Sequence, residues 1–137
     1  MPTDSFHIYL YGPHPHADRL PSPDTTPIPT SFEAAGERLH QSLPSILFEP
    51  DGSFAWASKD HQVVGMIYDA AMEIQYVEIR GHCDASRLRK LVEILAGTTQ
   101  IDQFAVMVLP ERQWKNFQSF AISLPASDPN GASDSSD

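Results

Sequence analysis

A proline-rich stretch near the start of the chain limits most strongly what this sequence can fold into. Residues 12–30 contain six prolines among nineteen residues. Because proline fixes φ and has no amide proton to donate, this stretch can form neither a helix nor a central strand. We therefore expect a long loop of polyproline-II character over 12–30. A loop of this length inside one domain is typical of a functional segment or a linker.

Hydrophobic periodicity outside this loop predicts both strands and helices. Alternating or continuous apolar runs predict strands over 6–11, 46–49, 53–57, 63–69, 74–81 and 104–109. Asp51 and Gly52 lie between two of these runs and indicate a hairpin turn. Apolar residues at helical spacing predict helices over 30–43 and 84–96, and the pattern over 110–120 is compatible with a third helix.

The order of these elements predicts an α+β fold. The chain reads β-α-β-β-β-β-α-β, followed by the C-terminal helix if it forms. We expect a two-layer sandwich in which a mixed, mostly antiparallel sheet has helices on one face. The helix over 84–96 could form a crossover that makes strands 74–81 and 104–109 a parallel pair. We expect a single domain over 1–124, and a disordered acidic tail over 125–137, which has no large apolar side chain.

Composition and charge restrict the class of partner and the compartment. Nine Lys and Arg residues stand against eighteen Asp and Glu residues, which gives a formal net charge of −9. Proteins that bind nucleic acid usually carry the opposite excess, so we expect no nucleic-acid partner. No apolar run approaches the roughly 18 residues that span a bilayer, so we expect no membrane partner. One cysteine and an N-terminus without a basic and apolar leader predict a reduced, cytoplasmic location.

The strand-to-helix turn around residues 80–90 is the first candidate site. Arg80, His82, Cys83 and Arg87 surround the expected N-terminus of a helix, where free amides and the helix dipole favour anions. These residues could bind a small phosphate or carboxylate, or Cys83 could be a nucleophile with a lowered pKa. The alternatives are that the basic residues form a solvated helix face and that Cys83 is a small buried hydrophobe.

Histidines in the proline-rich loop are the second candidate. His14 and His16 flank Pro15, and imidazole nitrogens bind zinc or copper. A metal site needs three or four ligands held in fixed geometry, so a loop pair alone predicts at most weak binding. The alternative is that these histidines have no ligand role, and we expect no bound cofactor.

Aromatic residues on the predicted strands and the last helix are the third candidate. If one face of the sheet is uncovered, Trp56, Tyr68 and Tyr76 would line up across neighbouring strands. The segment from Trp114 to Phe120 would pack either on that face or on a second copy of the chain. Tyr and Trp are enriched at protein interfaces. The alternative is that these rings form the core.

No known catalytic or family signature is recognised in the sequence. We therefore expect a non-enzymatic module that binds or regulates an unknown protein, or that associates with a second copy of itself. The alternatives are an anion-binding protein or enzyme centred on the Arg80–Arg87 turn, and weak metal binding by His14 and His16.

Overall fold

A computed structural model describes residues 5–14, 24–43 and 45–125, which contain seven strands and three helices. The strands are β1 (Phe6–Pro13), β2 (Leu47–Phe48), β3 (Ser53–Ser58), β4 (His61–Ala70), β5 (Glu73–His82), β6 (Phe104–Val108) and β7 (Gln113–Asn116). The helices are α1 (Phe32–Ser42), α2 (Ala85–Ala96) and α3 (Phe117–Ile122). None of the helices in these ranges is long and apolar enough to cross a membrane.

The strands form one sheet in the order β2-β3-β4-β5-β1-β6-β7. Every neighbouring pair is antiparallel, which confirms the α+β fold class. The N-terminal strand β1 lies between β5 and β6 and pairs with both. The expected parallel pair is therefore not formed: β5 and β6 run in the same direction, but α2 carries the chain across β1 rather than to a neighbour.

Alternation along the two central strands divides the sheet into a core face and a helix-free face. Ile8 and Leu10 of β1 stand opposite Ile79 and Val77 of β5, and all four side chains are fully buried. Successive side chains in a strand point to opposite faces, so these four lie on the same side of the sheet. The helices contribute apolar residues to the same hydrophobic cluster: Ala35, Leu39, Leu88, Leu91, Val92, Leu95, Phe117 and Phe120. The other face has no helix among the described residues.

The region expected to form a third helix divides into a strand and a short helix. Residues of β7 pair with β6, where Trp114 stands opposite Met107. Helix α3 begins only at Phe117, because the side chain of Asn116 caps it by accepting the amide of Ser119. The prediction of one helix over 110–120 is therefore wrong in its first half, where hydrogen bonding to the edge of β6 overrides the helical pattern.

The described part of the proline-rich segment is attached to the sheet at both of its ends. Gly12 and Pro13 belong to β1, so the strand runs two residues into the expected loop. Ile28 forms an isolated bridge with Ile74 and is fully buried. Residues 15–23 and 126–137 lie outside the described ranges, so the predictions of a loop and a disordered tail there remain predictions.

One arginine joins the two long helices. The guanidinium of Arg38 on α1 donates hydrogen bonds to the carbonyls of Ile94 and Leu95 at 2.8 Å each and to the hydroxyl of Thr30 at 2.7 Å. The two carbonyls belong to the last turn of α2, where helix geometry leaves them without an intrahelical donor. Arg38 therefore caps α2 from the side and fixes how α1 packs against it.

We predict that Arg38→Met lowers the free energy of unfolding by about 1.5–3 kcal/mol, because hydrogen bonds to a charged group are lost from a half-buried site. Arg38→Lys should recover only part of the loss, since an ammonium cannot reproduce the planar fork. Urea denaturation measures both changes. The control is Lys90→Met, which removes the same charge from an exposed position on α2. Equal stability of Arg38→Met and the control would contradict the capping role.

Candidate interaction surface

The helix-free face of the sheet carries a continuous row of aromatic rings, which we call the aromatic ladder. Tyr68 on β4 stacks on Tyr76 on β5, with ring centroids 4.6 Å apart. Tyr76 stacks on Tyr11 of β1 at 5.4 Å, and Tyr11 contacts Trp114 of β7 at 5.5 Å. Tyr9 of β1 also contacts Tyr76, at 5.4 Å. The ladder therefore reaches from β4 across the centre of the sheet to the edge strand β7.

The ladder follows from the two-residue repeat of the central strands. In β1, His7, Tyr9 and Tyr11 alternate with apolar residues that enter the core. In β5, Tyr76 and Glu78 occupy the equivalent alternate positions. The antiparallel register places Tyr9 opposite Glu78, so the aromatic and polar side chains of the two strands emerge together.

A carboxylate lies within this aromatic surface. Nε2 of His7 donates a hydrogen bond to Oε2 of Glu78 at 2.6 Å. Burial and then the negative charge of Glu78 raise the pKa of the nearby Tyr68 hydroxyl. Burial also raises the pKa of Tyr11, and the neighbouring Tyr76 and Tyr9 add to the shift. These two phenols therefore remain protonated hydrogen-bond donors at neutral pH.

The ladder ends at a strained and exposed turn between β4 and β5. Tyr68 is 39% exposed, and Met72 in the turn is 88% exposed. Ala71 and Met72 both have positive φ, at 55° and 68°. This is the backbone of a two-residue hairpin turn that normally takes Asn and Gly, because side chains with a Cβ are disfavoured there. Met72 is therefore an exposed apolar residue held in a backbone conformation that is unfavourable for it.

The structure brings together three of the four aromatic residues singled out in the sequence. Tyr68, Tyr76 and Trp114 lie on the ladder, whereas Trp56 does not. Trp56 is 7% exposed and stands opposite Val63 on the core face, with its ring 4.3 Å from that of His61. The expectation that Trp56 lines up with the two tyrosines is wrong, because its register in β3 points it to the other side.

Two ladder residues were not identified from the sequence. Tyr9 and Tyr11 lie in the first predicted strand, where they alternate with Ile8 and Leu10. That two-residue alternation was a usable signal that both tyrosines share a face.

The residues of the proposed anion site lie in different environments. Arg80 is exposed on the helix-free face, where it stands opposite His7. Arg87 lies in the first turn of α2, in the other layer, and its guanidinium donates to the carboxylate of Asp84 at 2.9 Å. Asp84 also caps the helix by accepting the Arg87 amide at 2.8 Å. The half-buried His82 is the last residue of β5 and stands opposite Gln62 of β4. The two arginines therefore do not converge on one ligand position.

Cys83 lies in the core rather than in a reactive pocket. Its side chain is 5% exposed. Burial and then the Asp84 carboxylate raise the pKa of the thiol to about 12, although Arg87 opposes the shift. A nucleophilic cysteine needs the opposite change, because the thiolate is the reactive form.

His61, His40 and His14 lie in different elements of the fold. His61 is 5% exposed; its Nδ1 bonds the Ser58 hydroxyl at 2.9 Å, and its Nε2 is buried without a hydrogen-bond partner in the part of the chain described here. Burial and then Arg87 lower the pKa of His61. His40 lies at the exposed side of α1 beside Phe48. His14 follows the end of β1, and His16 lies outside the described ranges. Within those ranges no three His, Cys, Asp or Glu side chains are placed to hold a metal ion.

We predict that Cys83 reacts with iodoacetamide at pH 8 about a hundredfold or more slower in the folded protein than in urea, because both burial and the raised pKa suppress the thiolate. Mass spectrometry of timed samples measures the two rates. The control is Ala57→Cys in a Cys83→Ala background, since Ala57 is exposed at the end of β3 and should react when folded. A folded-state rate for Cys83 within tenfold of its rate in urea would contradict its place in the core.

We predict that replacing Ala71 by Asn and Met72 by Gly raises the free energy of unfolding by about 1 kcal/mol, because both new residues accept positive φ more readily. Urea denaturation measures the change. Met72→Leu is the matched control and should leave stability within about 0.5 kcal/mol, since it keeps both the Cβ and the apolar character. A double variant no more stable than the wild type would show that the turn is not strained.

Comparison with known proteins gives no guide to the function of this surface. No protein-family model matches the chain, and neither a curated protein nor a solved structure was found to match it. Function has therefore to be inferred from the side chains themselves, and the aromatic ladder is a continuous surface feature that spans several strands.

Proposed function

We propose that this chain is a cytoplasmic protein-interaction module, or a regulator of the protein it binds, and that it docks through the helix-free face of its sheet. The observation that carries this proposal is the unbroken aromatic ladder from Tyr68 to Trp114. Tyrosine and tryptophan are enriched at interface centres, where they supply large contact areas.

The packing of the rings supports binding rather than simple solvation. A solvated face of an antiparallel sheet usually carries charged and small polar side chains at the outward positions. Here the outward positions on the central strands carry Tyr9, Tyr11 and Tyr76, whose rings already contact one another. Their conformations are fixed before a partner arrives, so binding loses little side-chain entropy.

The strained turn supports the same proposal. Backbone strain tends to be retained where function depends on it. At this turn it presents Met72 beside the ladder, and exposed methionines adapt readily to a partner surface.

Site-specific photo-cross-linking tests the proposal directly. We predict that a benzophenone side chain at position 68, introduced in the native host cell, forms a discrete adduct with one protein that mass spectrometry identifies reproducibly. The same group at Ile122, which is 76% exposed on α3, is the control and should not capture that protein. Tyr11→Ser in the position-68 chain should remove the adduct, provided that circular dichroism shows an intact fold.

Absence of an adduct at position 68, or the same set of adducts at positions 68 and 122, would contradict an interaction through this face. Persistence of the adduct in the Tyr11→Ser chain would contradict the role of the ladder.

A further inference from the structure

We propose that the protein that binds the aromatic ladder presents a positively charged surface, with arginine or lysine side chains packed on the rings and directed at Glu78. This inference rests on the proposed function and names the chemistry of its partner.

Strands β2 to β5, which form one half of the sheet, carry a local excess of negative charge. Residues 47–82, which cover β2 to β5 and their turns, contain two cations, Lys59 and Arg80. The same segment contains six carboxylates: Glu49, Asp51, Asp60, Asp69, Glu73 and Glu78. Its net charge is therefore −4 with histidines neutral. An acidic surface raises the encounter rate with a partner of opposite charge and disfavours an acidic one.

Two of these six carboxylates lie at the turn where the ladder ends. Asp69 and Glu73 are exposed on either side of Ala71 and Met72, close along the chain to Tyr68. No ion pair within the described residues neutralises either carboxylate. Glu73 stands opposite Ala70, two residues after Tyr68 and on the same side of the sheet, whereas Asp69 stands opposite the buried Ile74 on the other side. The charge of Glu73 is therefore available to a partner that covers Tyr68.

The centre of the ladder offers a matching site for a cationic side chain. Glu78 lies on β5 between Tyr9 on β1, its cross-strand neighbour, and Met66 on β4. His7 binds one of its oxygens, and the Tyr68 hydroxyl also hydrogen-bonds its carboxylate. Arginine pairs with carboxylates and also stacks on tyrosine rings, and cations over aromatic faces gain further attraction. A guanidinium that reaches Glu78 would make both contacts at once.

Three of the chain's nine cations are engaged in the helical layer. Arg38 caps α2, Arg87 pairs with Asp84, and Arg89 pairs with Asp102 at 2.6 Å. On the helix-free face Arg80 is the cation nearest to Glu78 along β5. A second copy of this chain would bring a further net charge of −9, which opposes self-association. The charge distribution therefore favours a basic protein over a second copy.

Binding of a fluorescent nona-arginine peptide, followed by anisotropy at low ionic strength, tests whether the cation site lies on this face. We expect Glu73→Gln combined with Glu78→Gln to weaken binding about tenfold, since two carboxylates next to the ladder are neutralised. The matched control is Glu33→Gln combined with Glu37→Gln, which removes the same charge from exposed positions on α1. The control should weaken binding less than about twofold.

Two further variants leave Glu78 unchanged, so they test the inference even if the replacement of Glu78 disturbs the fold. Glu73→Gln alone changes an exposed residue and should weaken binding by itself. Tyr76→Leu keeps the charge and should weaken binding about two- to fivefold, through loss of ring contacts with the cation. Equal weakening by the face and α1 double variants, or no effect of Glu73→Gln and Tyr76→Leu, would overturn the inference.

The identity of the protein cross-linked at position 68 separates this inference from the proposed function. A partner with a basic surface supports both. A second copy of this chain, or a partner with an acidic surface, overturns the inference while the interaction through the ladder stands. Absence of any adduct overturns the proposed function itself.

Discussion

The whole architecture depends on a sheet that is covered on one side only. The central strands β1 and β5 set this condition, because their alternate residues form the fully buried pairs of Ile8 with Ile79 and Leu10 with Val77. Burying these side chains against α1 and α2 stabilises the fold, since removal of apolar surface from water is its main driving force. The residues between them are then necessarily turned to the other face. The same repeat that builds the core therefore builds the aromatic ladder.

This division separates stability from recognition. The core side of the sheet, which the helices cover, contains Cys83, the buried His61 of β4 and the contact of Arg38 with α2, all of which serve packing or hydrogen bonding. The helix-free layer carries the tyrosines, Trp114, the His7–Glu78 pair and the strained turn. A partner can bind to this second layer without disturbing the first, as expected of sites placed on a rigid scaffold.

The sequence predicted the fold class and most element positions because these follow from local periodicity. It predicted that Tyr68 and Tyr76 could share an uncovered face. The register of β4 and β5 does place these two residues directly opposite each other. The sequence could not place β1 between β5 and β6, since pairing of distant strands leaves no local pattern. The orientation of Trp56, in contrast, was available from the sequence: Trp56 shares a face with Phe54 and alternates with Ala55 and Ala57, and its pairing with the buried Val63 places that face in the core. The strand at Trp114 was missed because an edge strand of four residues has no period long enough to recognise.

Acrylamide quenching of tryptophan fluorescence in two single-tryptophan variants tests the two-faced sheet most directly. In Trp56→Phe the emission comes from Trp114 on the helix-free face, and in Trp114→Phe it comes from Trp56 in the core. We predict that Trp114 is quenched several times more strongly than Trp56 and emits at longer wavelength, because only Trp56 is excluded from water. Stronger quenching of Trp56, or equal protection of both rings, would contradict a sheet with one face covered by helices and the other open to a partner.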